Sequence, residues 1–100
     1  EDVQNIITFY GGLCAYCGAM AETLDHPFPL KNNAPNVPAN VLPVCKMCKN
    51  VKKNHDVVWM YNNSHLTQKE YLRVIQFMFD QRGGDIIRDQ VRRATGMIDE

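Results

Sequence analysis

The chain has 100 residues, of which 45% are hydrophobic, and its 11 basic and 11 acidic side chains give zero formal net charge. That length makes one small domain, residues 1–100, whose core alone leaves a thin stability margin. No apolar run reaches the roughly 18 residues of a membrane-spanning helix, so no membrane partner is expected. No basic stretch leads into an apolar one at the N-terminus, so an intracellular, cytoplasmic location is the expectation.

Val3, Ile6, Ile7 and Tyr10 recur at helical spacing, and Gly11-Gly12 stop that helix. A first Cys-x-x-Cys, Cys14/Cys17, follows at once as a knuckle with Gly18 easing the tight backbone. Residues 19–30 read as a short strand carrying Leu24 into Asp25 and His26, after which Pro27 and Pro29 forbid a helix. Residues 31–40 are a loop by composition. Val41, Leu42 and Val44 form a second short strand feeding the second pair, Cys45/Cys48. The Lys-rich run after Cys45 lacks Gly and Pro through Asn63, which predicts one helix there, with Val51, Val58 and Trp59 on its buried face. Thr67-Gln-Lys-Glu70 is a capping-box pattern opening a helix to about Gln81, with Tyr71, Leu72, Ile75, Met78 and Phe79 as its apolar stripe. Gly83-Gly84 end it, and Ile87, Val91 and Ala94 predict a final short helix.

Four cysteines in two close pairs suit a closed tetrahedral Zn²⁺ site, which has no open position for chemistry. Two disulfides are the rival, disfavoured because cysteines so close in sequence prefer a shared metal to distant partners. A structural zinc would add its binding free energy to folding. Charge is unevenly spread. Residues 1–25 carry four acids and no base, whereas residues 26–55 carry Lys31, Lys46, Lys49, Lys52 and Lys53 and no acid. The neutral total thus hides a local basic patch, either a solvated face or a phosphate-binding one.

Between the two Cys pairs stands Asp25-His26. A lone His after Asp is commonly a surface or capping residue, and Asn40 could be a simple turn former. Their order tells more. Tyr10-Gly-Gly-Leu-Cys-Ala-Tyr-Cys-Gly, then Leu24-Asp-His-Pro-Phe-Pro, then Asn40-Val-Leu-Pro-Val-Cys-Lys-Met-Cys resembles the HNH endonucleases of the ββα-metal class. Lys52, Asn54 and the Val57-Val-Trp-Met run are similar to that family's usual continuation, so the likeness covers about residues 3–60.

The resemblance implies a small α+β, zinc-stabilised ββα-metal core with a treble-clef-like character at residues 10–60. Helices flank it on the N-terminal side and as a C-terminal cover at 64–96. It implies a DNA endonuclease in which Asp25 ligates a catalytic Mg²⁺ or Mn²⁺ and Asn40 braces the loop carrying His26. His26 would be the general base, a role suited to a side chain whose unperturbed pKa is about 6.5. Products would be a 5′-phosphate and a 3′-hydroxyl. Lys46, Lys49, Lys52 and Lys53 would contact DNA phosphates. The family usually places Asn or His directly after the last Cys as second metal ligand, where this chain has Lys49, an ammonium that cannot ligate. Asn50 is the expected substitute, with Asn54 and His55 next. The alternative is a zinc-stabilised nucleic-acid-binding module with a weakened or lost catalytic site. A protein-interaction module would be favoured by a large exposed apolar face on residues 66–79. Arg88, Arg92 and Arg93, at helical spacing from Asp85 and Asp89, are expected in surface ion pairs.

Overall fold

Strand β1 (Thr23–Asp25) and strand β2 (Leu42–Val44) pair antiparallel, with Thr23 opposite Val44, Leu24 opposite Pro43 and Asp25 opposite Leu42. Around this hairpin the computed structural model, which describes residues 3–95, arranges five α-helices. Gly96, the end of the expected C-terminal cover, lies outside the described residues, as do Glu1 and Asp2. The architecture is α+β with a four-cysteine cluster, as the spacing predicts. Among the described residues no helix is long and apolar enough to cross a membrane.

Helix α1 (Val3–Phe9) ends at Gly11 and Gly12, both at positive φ. The first knuckle then folds back on itself through a Leu13–Met20 bridge and docks on β2 through Ala15 N–H to the Pro43 carbonyl, 2.9 Å. Residues 31–40 are not wholly irregular. Single 3-10 turns at Leu30–Asn32 and Pro38–Asn40 shape them, the second opened by a proline whose fixed φ suits a first helical position.

The expected single helix from Cys45 to Asn63 is two. Helix α2 (Lys46–Lys52) stops at Lys53, which sits at φ 52° and ψ −123°. Helix α3 (Val57–Asn62) starts afresh with Asp56 as its cap, accepting the Trp59 amide at 2.8 Å. Val51 is therefore exposed and Lys52 takes the buried position on α2, while Val58 is buried as expected. Helix α4 (Gln68–Asp80) has the full capping box between Thr67 and Glu70. Its buried residues are Val74, Ile75 and Met78; Tyr71 and Phe79 are half-buried and Leu72 is 56% exposed. Residues 66–79 thus present no broad apolar face to solvent, the feature an interaction module would need. Helix α5 (Gly84–Thr95) buries Ile87 and carries one exposed pair, Arg93–Asp89, whereas Arg88 lies over the Phe79 ring.

The core joins the knuckles to the helices. Tyr16, Phe28, Leu42, Val57, Met60 and Ile87 meet in it. Gly83 closes the α4–α5 turn at φ 89°, and a Cβ there would lie 2.6 Å from Val37 Cβ. That contact, with Ala39 N–H bound to the Arg82 carbonyl at 3.0 Å, clamps the turn onto the loop that precedes β2.

Lys53 generates a testable consequence. A side chain held at that φ and ψ stores strain of order 1–3 kcal/mol, which glycine relieves at some cost in unfolded-state entropy. Lys53→Gly is expected to raise unfolding free energy by about 1 kcal/mol in a urea titration; a loss of stability would show that the Lys53 side chain stabilises the α2–α3 break.

Candidate metal and nucleic-acid site

The four cysteine sulfurs lie within 4.8 Å of one another, with Cys17 and Cys45 Sγ 3.6 Å apart. Sulfurs around a tetrahedral zinc at about 2.3 Å are about 3.8 Å apart, whereas disulfide sulfurs are about 2.05 Å apart. The cluster therefore suits a shared metal such as zinc, and all four cysteines are free. Local backbone prepares it. Cys45 caps α2, its sulfur accepting the Cys48 amide at 3.4 Å. Burial pushes the Cys48 thiol well up, and the charge of Cys14 adds to the effect. Burial also raises Cys17, while at Cys45 the Cys48 amide and the neighbouring thiols outweigh burial and lower it. Four thiolates cannot all ionise so close together unless a cation compensates them.

Asn40 is fully buried and its side chain is fully used. Its Oδ1 accepts the Phe28 amide at 3.0 Å, and its Nδ2 donates to the carbonyls of Phe28 (2.8 Å) and Pro35 (3.0 Å). The segment after His26 is thereby pinned to the segment before β2. The Asn40 carbonyl lies 2.8 Å from His26 Nδ1. A carbonyl has no proton to give, so Nδ1 donates, and in the neutral ring Nε2 is left as the acceptor. Asn40 is more than a turn former here.

Strand alternation sends Leu24 and His26 to one side of β1 and Asp25 to the other. Leu24 and His26 line a cleft of about 640 Å³ between α1, the Pro38–Asn40 turn and the α4–α5 turn. Asp25 points inward. Its Oδ2 accepts from Tyr16 Oη at 2.9 Å and from Lys52 Nζ at 3.0 Å, and Lys52 also donates to the His26 carbonyl at 2.8 Å. Lys52 is 1% exposed and Asp25 8%. Burial, then the Asp25 charge, raise the Tyr16 hydroxyl well above its ordinary range, so it stays a neutral donor.

One expectation changes. Lys52 is no phosphate contact, because its ammonium is buried on Asp25. Asp25 is itself buried, with both contacts on Oδ2, leaving Oδ1 as the oxygen they do not use. Lys49 is exposed but turns back to the Leu24 carbonyl at 2.8 Å. Since Lys49 and Lys52 both reach β1, that face of α2 is theirs, and Asn50 lies about 100° round the helix from Lys49, exposed. Asn50 is therefore poorly placed to join Asp25 at an ion. Asn54 and His55 fall beyond the end of α2, so neither continues its face, and His55 stacks on Trp59 at 3.8 Å. Lys46 and Lys53 are exposed and remain available to an anion. Sequence reasoning missed Tyr16; an aromatic hydroxyl inside a Cys-x-x-Cys knuckle, with one buried acid to satisfy, was the available signal.

Removing one partner of a buried pair strands the other charge, at a typical cost of about 3–5 kcal/mol. Lys52→Met is expected to destabilise by that order in chemical denaturation. Adding Asp25→Asn to it should recover part of the loss, since no unpaired charge then remains. Two losses that simply add would show that the charges do not interact.

No protein-family model and no curated protein sequence matches this chain, so its functional reading rests on its own residues.

Proposed function

We propose that this protein is a zinc-braced DNA endonuclease of the HNH type, with His26 as general base. The observation that carries the reading is the His26 setting: a ring fixed through Nδ1 by the Asn40 carbonyl, with Nε2 left to accept, on the wall of an open cleft. His26 Nε2 takes a proton from water as the water oxygen bonds to the scissile phosphorus. The bond from phosphorus to the 3′ oxygen breaks, and that oxygen takes a proton from solvent water, leaving a 5′-phosphate and a 3′-hydroxyl. Asn40 holds the imidazole still during this transfer, because its side chain and carbonyl belong to one rigid turn. Exposed Lys46 and Lys53 supply sequence-independent attraction for the DNA backbone. Zn²⁺ at the four cysteines is structural and takes no part in the chemistry.

Mg²⁺ commonly uses only one or two carboxylates and completes its shell with water and substrate phosphate. Asp25 Oδ1 fits that mode, whereas a second ligand from Asn50 does not. A bound Mg²⁺ or Mn²⁺ would stabilise charge building on the phosphate. Because Lys52 already balances Asp25, high metal concentrations should be needed.

The second reading is a zinc-stabilised nucleic-acid-binding module without hydrolysis, and the Asp25–Lys52 pair favours it: an ammonium already stands against the acid that would hold the ion.

Supercoiled plasmid separates the two. Nicking that depends on added Mg²⁺ or Mn²⁺ and falls by about 10²–10⁴ in His26→Ala is expected. Salt-sensitive DNA binding with no cleavage would leave only the second reading. Elemental analysis should find about one zinc per chain, and its removal should unfold the domain; a folded, zinc-free protein with thiols intact would refute the structural role.

A further inference from the structure

We propose that the cleft beside His26 holds one unpaired nucleotide of single-stranded DNA, with its base on Phe9 and its phosphate at Arg82. This rests on the nuclease reading for its chemical setting and extends it to the class of substrate.

Three observations meet in the cleft. Its volume of about 640 Å³ falls in the roughly 300–1,000 Å³ range of sites for small molecules and cofactors. Its wall is mostly apolar, including Ile6, Leu24 and Val41, and among the described residues no carboxylate lines it. Among the described residues, Arg82 is the permanently charged member of the lining. An occupant must therefore be flat and apolar over much of its surface and carry negative charge at one end. A nucleotide has that shape and charge. Asp80 stands close enough to Tyr10 to raise its pKa, after the larger effect of burial, but it is not part of the lining and accepts from Gln76 at 2.8 Å.

Phe9 supplies the stacking surface. It is 70% exposed, far above what an apolar ring needs for packing alone. Its edge-to-face contact with Tyr10, at 5.1 Å and 89°, occupies at most one ring face and leaves the other open. Tyr10 is itself steadied against Phe77. The Arg82 backbone is fixed in the α4–α5 turn: its carbonyl binds the Ala39 amide, one residue from the Asn40 carbonyl that orients His26. Phosphate binder and proposed base thus hang from the same turn, Pro38–Asn40. A base inside a duplex has both faces stacked and cannot enter such a site, so the occupant is unpaired.

The test is binding of a fluorescein-labelled oligothymidylate, by anisotropy, without added magnesium or manganese, beside its duplex with oligoadenylate. Single strand should bind more tightly than duplex. Phe9→Ala should weaken the single strand roughly tenfold, while Phe9→Trp retains affinity. Arg82→Gln should weaken binding and reduce the salt slope by about 0.7, as for one lost phosphate contact on a single strand. Both losses are required, and failure of either, or equal losses on duplex, overturns the proposal. Plasmid nicking by the same variants keeps the readings apart. Nicking by the wild type with unchanged oligonucleotide binding in the variants would sink the cleft alone. Variant-sensitive binding with no nicking anywhere would sink the nuclease reading alone.

Discussion

The buried ion pair between Asp25 and Lys52 is the constraint around which the rest of the domain is arranged. Asp25 ends β1, Lys52 lies on the helix that grows from the second knuckle, and Tyr16 comes from inside the first knuckle. One carboxylate oxygen therefore ties together three chain segments separated by up to 36 residues, Tyr16 to Lys52. A four-thiol cluster would bind the two knuckles at one end of this unit. The ion pair binds them again at the other. In a chain this short, where the apolar core is small, such polar ties select one arrangement of the segments, provided each buried polar group has a partner. Lys52 donates to both Asp25 and the His26 carbonyl, and no buried side-chain nitrogen or oxygen among the described residues lacks a partner.

The same pair decides how His26 is held. Lys52 fixes its backbone carbonyl from below and Asn40 fixes its ring from the side. The imidazole is thus anchored at both ends of the residue, while Leu24, two positions earlier, leads it onto the cleft wall. General-base work depends on holding a lone pair in one direction, and that is a property of this frame rather than of histidine alone. It also explains why Asn40 carries so many hydrogen bonds: any slack in the loop from Phe28 to Pro35 would pass directly to Nδ1.

Much of this was legible in the sequence, and the reasons for the remainder are physical. The cysteine spacing, the flanking strands and the Thr67–Glu70 box are local patterns with one economical structure each, and the structure has them. Asn40 as a brace is an expectation that only the resemblance supplies. Lys52 was not legible, because lysine is almost never fully buried unless paired, and its partner lies 27 residues away. The break after α2 was hidden for a similar reason: positive φ at a lysine has no compositional signal. The restart was visible in principle, since Asp56 directly precedes Val57-Val58-Trp59-Met60, the order of a cap before an apolar turn.

Charge balance shows why a zero net charge says little about partners here. Lys52 and Asp25 cancel in the interior, and Arg93 and Asp89 cancel at the surface of α5. The charges left to act on a ligand are those whose positions escape such pairing, and among the described residues of the cleft wall that charge is Arg82. Lys46 and Lys53 lie on the segment that follows β2, exposed to solvent. Fields from exposed groups fade over about 10 Å at moderate salt, so the local sign at the cleft outweighs the total. An anion entering the cleft therefore meets Arg82 although the chain's formal net charge is zero.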